Sequence, residues 1–150
     1  MRILDADIFA YALYDQSPAH QHAWQLVEKG LLGELKLYVT HTTILEVYNV
    51  LYWFYRVRPA RKLLEKLSSA LMGLEVVEPS LDGVELAKHA GIPLGDGFLI
   101  ATALKHNIPI VVSNDAHIAK KAPEYGLIVE TPIPEEVRRR LREWKPPRYK

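Results

Sequence analysis

The stretch LGDGFLIATALKHNIPIVVSND, residues 94–115, decides the fold predicted for this chain. Residues 98–104 are rich in apolar side chains and alanine, which predicts a buried helix. A proline soon afterwards prevents that helix from continuing, and the β-branched run at residues 110–112 predicts a short strand covered on both faces. An acid marks each end of this unit, because Asp96 stands just before the helix and Asp115 follows the strand.

Strand and helix patterns alternate along the whole chain. This alternation predicts an α/β fold, a three-layer α/β/α sandwich with a central parallel sheet and helices on both faces. A helix that packs antiparallel to the strand after it begins at the edge where that strand ends. Asp96 and Asp115 should therefore meet at the carboxyl edge of the sheet, where ligands bind in folds of this class.

Further acids map to the same edge. Asp5 ends the first predicted strand, and Glu46 lies in the first turns of the helix that follows the second strand. That helix is apolar on nearly every side and should be buried, where a lone carboxylate is strongly disfavoured. Glu46 is therefore either a site residue or a solvent-facing acid that favours the helix dipole. Asp7 is either a fifth acid of the site or the cap of the first helix.

A cluster of ionised carboxylates is stabilised by a cation. Two carboxylates about 4 Å apart repel each other by roughly 4 kcal/mol at an effective dielectric constant near 20. Mg²⁺ and Mn²⁺ prefer oxygen ligands, activate water and offset charge on a phosphate, so the acids predict phosphodiester hydrolysis. Ser113 and Asn114 stand beside the last acid, where they either orient water or phosphate or serve as turn residues.

Length and composition limit the class of protein. The 150 residues predict a single domain. The chain has no cysteine, which excludes a disulfide framework and thiolate ligation of a metal and fits a reducing cytoplasm. Its apolar runs are too short to span a membrane, and its start lacks the layout of a signal peptide. We expect a soluble, cytoplasmic protein with no membrane partner.

Charge is distributed unevenly along the chain. Residues 138–150 hold seven basic residues and one acid, a balance of +6, so the formal net charge of +1 leaves −5 on the rest. An acidic body with a basic tail is compatible with nucleic-acid binding through the tail. The alternative is a solvated helix face, which is the commoner meaning of a charge run.

Several segments together resemble one known family. They are ILDADIFAY near the start, the lone glutamate within THTTILEVYNVL, and the stretch at residues 94–115 with its closing Ser-Asn-Asp. Over residues 3–129 the chain resembles a PIN-domain nuclease, and within that family the VapC-type ribonuclease toxins of toxin–antitoxin pairs. The resemblance implies a five-stranded parallel sheet of order 3-2-1-4-5. It also implies a nuclease domain at residues 1–133, with a C-terminal helix and basic tail at residues 134–150 as part of the same domain.

The resemblance also implies a set of functional residues. Four acids match the family's catalytic and metal-binding carboxylates, which bind one or two Mg²⁺ or Mn²⁺ ions for RNA cleavage; they are Asp5, Glu46, Asp96 and Asp115. Ser113, Asn114 and Asp7, beside these acids in the sequence, are further candidates for binding substrate or supporting the acids. The chain departs from the family at Asp7, where Asn, Ser or Thr is common, and at His117, where lysine or an apolar residue is usual. His117 receives no role from the sequence.

Partners and alternatives complete the predictions. The family implies an antitoxin protein and a homodimer, and the crowded aromatic residues at positions 48 and 52–55 form either such an interface or ordinary core. One alternative is a haloacid-dehalogenase-type phosphatase with Asp5 as nucleophile and Asp7 as acid/base, which leaves Glu46 without a role. The other alternative is a non-catalytic α/β interaction module, which predicts no acidic cluster.

Overall fold

A single parallel sheet forms the centre of the computed structural model, which describes residues 1–146. Its strands are β1 (Arg2–Leu4), β2 (Leu37–Thr40), β3 (Glu75–Val77), β4 (Ile110–Val112) and β5 (Ile128–Glu130). They lie side by side in the order β3-β2-β1-β4-β5, and each neighbouring pair is parallel. The fold class and strand order predicted from the sequence are therefore confirmed. Arg148 and Lys150 of the predicted basic tail lie outside the described residues.

Helices cover both faces of the sheet. The α-helices are α1 (Ala6–Leu13), α2 (His20–Leu31), α3 (His41–Asn49), α4 (Ala60–Leu71), α5 (Gly83–Ala90), α6 (Leu94–Lys105), α7 (Ala116–Lys121) and α8 (Glu135–Glu143). A π-helical segment (Val50–Phe54) continues α3, and a 3₁₀ segment (Ala122–Tyr125) continues α7. In the described part of the chain, no helix is long and apolar enough to cross a membrane.

Two apolar cores lie on opposite faces of the sheet. One contains Phe9 of α1 and Leu63 of α4, and α8 joins it through the buried Val137. The other contains Ile100 of α6 and Ile118 of α7. Strands buried on both faces are typical of parallel sheets, and here they fix the positions of the loops that follow β1 and β4.

The pairing of the two central strands positions the acids. Ile3 of β1 lies opposite Val111 of β4, and Leu4 lies opposite Val112. The pairing extends one step further, since the backbone N–H of Asp5 donates a 2.9 Å hydrogen bond to the Val112 carbonyl. Residues that directly follow these two strands therefore emerge side by side at the carboxyl edge.

A close approach between α5 and α6 positions the start of α6. A Cβ atom added to Gly97 would lie 2.5 Å from the Gly83 carbonyl oxygen and 2.6 Å from the Ala87 Cβ atom. A Cβ atom added to Gly83 would meet the backbone of Phe98 at 2.6 Å. Only glycine at both positions allows this spacing, which places the neighbouring Asp96 at the sheet edge.

The N-caps of the first and third helices lie where the strands before them end. The first helix is capped by Asp5, whose carboxylate accepts the Ala6 N–H, whereas Asp7 lies inside the first turn, so the cap role left open for Asp7 is excluded. The helix that carries Glu46 begins at His41, because Thr40 accepts the Thr43 N–H as its N-cap. It changes to π-helical hydrogen bonding at Val50.

The crowded aromatic residues divide into two groups. Tyr48, Tyr52 and Tyr55 pack against the core, as the ordinary interpretation predicts. Trp53 and Phe54 remain 62% and 66% exposed. Core packing therefore accounts for part of this aromatic segment and leaves two large side chains at the surface.

Candidate functional site

Carboxylates from three separate parts of the sequence gather at the carboxyl edge of the sheet. Asp5 follows β1, Asp96 lies in the first turn of α6, and Asp115 caps α7 directly after β4. Ligand atoms of Asp96 and Asp115, together with a nitrogen of His117, lie within 4.8 Å of one another. The predicted meeting of Asp96 and Asp115 across the helix-and-strand unit is therefore present.

Asp5 is connected to Asp115 through one side chain. The Ser113 hydroxyl, which is buried, donates a 2.6 Å hydrogen bond to Oδ2 of Asp5. The hydroxyl oxygen of Ser113 also accepts the Asp115 N–H at 3.0 Å. Burial raises the pKa of Asp5, the hydrogen bonds from Ser113 and Ala6 lower it, and the charge of Asp115 raises it further. The net direction is upward, as expected for a carboxyl group that shares a buried site with a like charge.

The surroundings of Asp96 favour its protonated form. Burial, followed by the charges of Asp115 and Asp5, raises its pKa to about 7, while the nearby His117 opposes that rise. Its Oδ2 atom is buried and has no hydrogen-bond partner among the described residues. A buried carboxylate oxygen without a donor is stabilised either by a proton or by a cation.

Glu46 lies at the rim of the same group. A Cβ atom added to Gly95, at the start of α6, would be 3.0 Å from Oε1 of Glu46. Partial burial and the charge of Asp5 raise the pKa of Glu46. Glu46 is exposed, and in α3 only Thr43 and Val47 are buried, so the expected burial of this helix was wrong. The glutamate nevertheless lies close enough to Asp5 for that charge to raise its pKa, which argues against a role limited to the helix dipole.

Asp7 lies deeper than the other acids. Its Oδ2 atom accepts the Asn114 N–H at 2.9 Å, and its Oδ1 atom accepts the Ile8 N–H at 2.7 Å. Burial and the charge of Asp5 raise its pKa well above the usual range. Asp7 thus attaches the loop after β4 to α1, and the backbone of Asn114 takes part in that attachment.

His117 was missed by reasoning from the sequence. Its Nδ1 atom lies 3.3 Å from Oδ1 of Asp115, whose carboxylate also accepts the N–H groups of His117 and Ile118. The one available signal was its spacing, since a residue two positions after a helix-capping acid returns to that acid within the first turn. A histidine there offers an imidazole nitrogen, which is a ligand for Mn²⁺ and several other transition metals.

The residues present fit a divalent cation. Their donor set is carboxylate oxygens with one imidazole nitrogen, and in the described part of the chain Asp5, Glu46 and Asp96 form no ion pair with lysine or arginine. The unpaired Oδ2 of Asp96 supplies a buried acceptor in the same place. A cation would offset the burial of these charges and their mutual repulsion, which together raise the carboxyl pKa values here.

Comparison with known structures identifies similar folds. The chain is similar to the crystal structure of PAE2754 from Pyrobaculum aerophilum, with 22% identity, a TM-score of 0.63, and coverage of 95% of this chain and 90% of that one. It is also similar to VapBC2 from Rickettsia felis bound to a promoter DNA fragment, with 19% identity, a TM-score of 0.61, and coverage of 87% and 97%.

A third similar structure is a toxin–antitoxin complex from Klebsiella pneumoniae, with 18% identity, a TM-score of 0.59, and coverage of 89% and 98%. No curated protein sequence matches the chain significantly. The family model of the PIN domain matches residues 2–123, which include every acid described above. This chain therefore belongs to the PIN domain family.

Proposed function

We propose that this protein is a metal-dependent ribonuclease that hydrolyses RNA phosphodiester bonds, acting as the toxin of a toxin–antitoxin pair. One observation carries the proposal: Asp96, Asp115 and His117 offer ligand atoms within 4.8 Å of one another at the carboxyl edge of a PIN domain. PIN domains are nucleases. A non-catalytic module with dispersed acids does not account for this grouping. Membership of the PIN family argues against the alternative of a haloacid-dehalogenase-type phosphatase.

The proposed metal ligands are Asp5, Asp96 and Asp115, with Glu46 at the rim; they hold one or two Mg²⁺ or Mn²⁺ ions. When bound, the metal supplies an activated water and offsets the charge that develops on the phosphate. The chain supplies the positioning. Ser113 orients Asp5 by donating to its Oδ2 atom, and the same hydroxyl accepts the Asp115 N–H. Asp7 holds the backbone at Asn114, which fixes the loop that carries Asp115.

His117 is proposed as an additional ligand. Its ring nitrogen adjoins Asp115, and it shares the 4.8 Å group with both acids. An imidazole ligand favours transition metals over Mg²⁺, because Mg²⁺ prefers oxygen ligands and retains its waters. We therefore propose that this site prefers Mn²⁺ to Mg²⁺ more strongly than an all-carboxylate site would.

An antitoxin partner is proposed from the similar structures. Two of them are described as VapBC2 and as a toxin–antitoxin complex. The homodimer stays a prediction, for which the exposed Trp53 and Phe54 are candidate contact residues. Light scattering during size-exclusion chromatography tests it, and a monomer at every concentration would contradict it.

The ribonuclease proposal is tested with purified protein and a fluorescently labelled single-stranded RNA in Mn²⁺, Mg²⁺ or EDTA. Wild type should cleave the RNA in Mn²⁺ and not in EDTA, and Asp96→Asn should lose the activity. A DNA oligonucleotide of the same sequence tests whether cleavage is limited to RNA. Equal cleavage by wild type and Asp96→Asn would assign the activity to a contaminant and contradict the proposal.

A further inference from the structure

A cavity lies beside the acidic group. It has a volume of about 360 Å³ and is lined by Tyr11, Asn114, Ala116, Arg138, Leu141 and Arg142. These residues belong to α1, to the connection between β4 and α7, to the first turn of α7, and to α8. The helix α8 lies beyond residues 2–123, the part that the PIN family model matches. The two arginines that line the cavity, Arg138 and Arg142, therefore lie outside the region that the family model matches.

The cavity and the acids share a wall. Asn114 and Ala116 lining the cavity are the immediate neighbours of Asp115. The Asn114 N–H donates a hydrogen bond to Asp7. Burial raises the pKa of Tyr11, and the charge of Asp7 raises it further. A polymer that passes over the carboxylates would therefore meet this cavity within one residue of Asp115.

The chemistry of the cavity suits a phosphate. The guanidinium groups of Arg138 and Arg142 both pair with Glu135, at 3.1 Å and 3.2 Å. One carboxylate for two guanidinium groups leaves a net positive charge and free N–H donors. Arginine's planar donor fork matches phosphate oxygens, which often bind in a bidentate manner. The Arg138 and Arg142 side chains are 37% and 67% exposed, so an entering phosphate can reach them.

The position of the cavity favours a nucleotide as its ligand. The cavity adjoins the carboxylates at which the proposed RNA cleavage takes place, so a phosphate of the same RNA strand can reach the two guanidinium groups. The side-chain oxygen of Asn114 is buried, so the arginines are the groups that would bind the phosphate.

We propose that this cavity binds the phosphate of a nucleotide adjoining the one that reacts at the carboxylates, with Arg138 and Arg142 as the phosphate-binding residues. The inference rests on the proposed ribonuclease function and assigns the path of its RNA substrate. The RNA would run from the acidic group, past Asn114, to the arginine-bearing face of α8.

The test measures RNA binding without cleavage. In an Asp96→Asn background, fluorescence anisotropy of a labelled single-stranded RNA gives Kd across a range of salt concentrations. Replacing Arg138 and Arg142 with alanine should weaken binding on the order of tenfold near 0.1 M salt. It should also reduce the slope of log Kd against log salt by about 0.7, the contribution of one lost phosphate contact on a single strand.

A control removes the same charge elsewhere. Arg61→Ala with Arg140→Ala deletes two arginines, one an exposed residue of α4 paired with Glu65 and the other about 200° around α8 from Arg138. This control should change Kd less than threefold. Glu135→Gln removes the competing carboxylate and should tighten binding.

The outcomes separate the two proposals. Unchanged RNA binding after loss of Arg138 and Arg142, or an equal loss in the control, would overturn the phosphate site and leave the ribonuclease standing. Unchanged RNA binding after loss of the two arginines, together with weaker binding of an acidic protein, would assign the cavity to a protein partner. A wild-type protein that neither binds nor cleaves RNA with Mn²⁺ would overturn the proposed function itself. Matching circular dichroism and melting curves for all variants would show that folding is preserved.

Discussion

The Ser113 hydroxyl donates a 2.6 Å hydrogen bond to Oδ2 of Asp5, across 108 positions of the sequence. The contact forms because β1 and β4 are neighbours in the sheet and end at the same level. Through its second interaction, with the Asp115 N–H, the hydroxyl holds two acids in one arrangement. The geometry of the proposed site thus depends directly on the pairing of the two central strands.

Ser113→Ala should weaken both the fold and the metal site. The substitution leaves Oδ2 of Asp5 and the Asp115 N–H without this partner, which costs about 1–3 kcal/mol for buried groups. The Ser113 hydrogen bond lowers the pKa of Asp5, so its loss raises that pKa and makes metal binding compete with a proton. We expect Mn²⁺ affinity at pH 7 to fall about tenfold, as measured by calorimetry. Ser68→Ala, an exposed serine of α4, should change neither quantity.

Asp96→Asn should have opposite effects with and without metal. In EDTA the neutral amide removes a charge that repels Asp115 and Asp5, so the melting temperature should rise. In Mn²⁺ the wild type gains about 2.7 kcal/mol when the metal is present at a hundred times its Kd, whereas the variant gains little. Thermal unfolding in both conditions measures this crossover, in which the variant melts at a higher temperature than wild type in EDTA and at a lower temperature in Mn²⁺. Asp82→Asn, at an exposed acid before α5, is the control and should show no crossover.

The metal-free protein should become less stable as pH rises. The pKa of Asp96 is raised from 3.8 to about 7 in the folded state, so the folded chain binds the proton more tightly than the unfolded chain. This contribution to stability is complete below the unfolded pKa and is lost as pH rises through about 7. Burial raises the pKa of Asp5 and Glu46 in the same direction.

Urea unfolding in EDTA at pH 5.5 and pH 8 measures the effect. We expect a higher free energy of unfolding at the lower pH and a smaller difference in Asp96→Asn. Saturating Mn²⁺ should reverse the trend, because the metal competes with protons. A free energy that increases from pH 5.5 to pH 8 in EDTA would contradict the proposed crowding of acids.

The fold was predictable because its sequence signals are local. The β-branched run of β4 and the apolar run of α6 each specify one element, and the alternation of such elements specifies a parallel sheet. The helix ends were less predictable. Asp5 and Asp7 are equally suitable caps by residue type, and only the strand register decides that Asp7 accepts the Asn114 N–H. The π-helical segment after α3 corresponds to no pattern of residue types in the sequence.

The candidate site was partly predictable for a different reason. Asp96 and Asp115 are the ends of one helix-and-strand unit, so topology alone brings them together. For His117 the spacing from Asp115 is only a weak signal, because a histidine in a first turn is usually a surface residue. Arg138 and Arg142 were visible only as part of a basic run, and the packing of Val137 against the core decides which of its arginines face the cavity.

His117→Ala should change the preference among metals more than the fold. Loss of the imidazole should weaken Mn²⁺ binding about tenfold and leave Mg²⁺ binding nearly unchanged, since Mg²⁺ prefers oxygen ligands. Calorimetric titration of both metals at pH 7.5 gives the ratio of affinities. His89→Ala, at an exposed position of α5, should leave the ratio unaltered. Equal weakening of both metals would assign His117 to positioning of Asp115 and not to ligation.

Gly97→Ala tests whether the approach of α5 to α6 positions Asp96. The new methyl group would meet the Gly83 carbonyl oxygen at 2.5 Å, and backbone atoms can relieve that overlap only if the helices move apart. We expect a loss of about 1–3 kcal/mol in stability, as for other overpacked sites, together with weaker Mn²⁺ binding because Asp96 moves with α6. Gly91→Ala is the control, since its φ of +66° strains an alanine but the space around it is open. If Gly97→Ala loses stability while Mn²⁺ affinity stays at the wild-type value, the helix spacing supports the fold without setting the position of the acid.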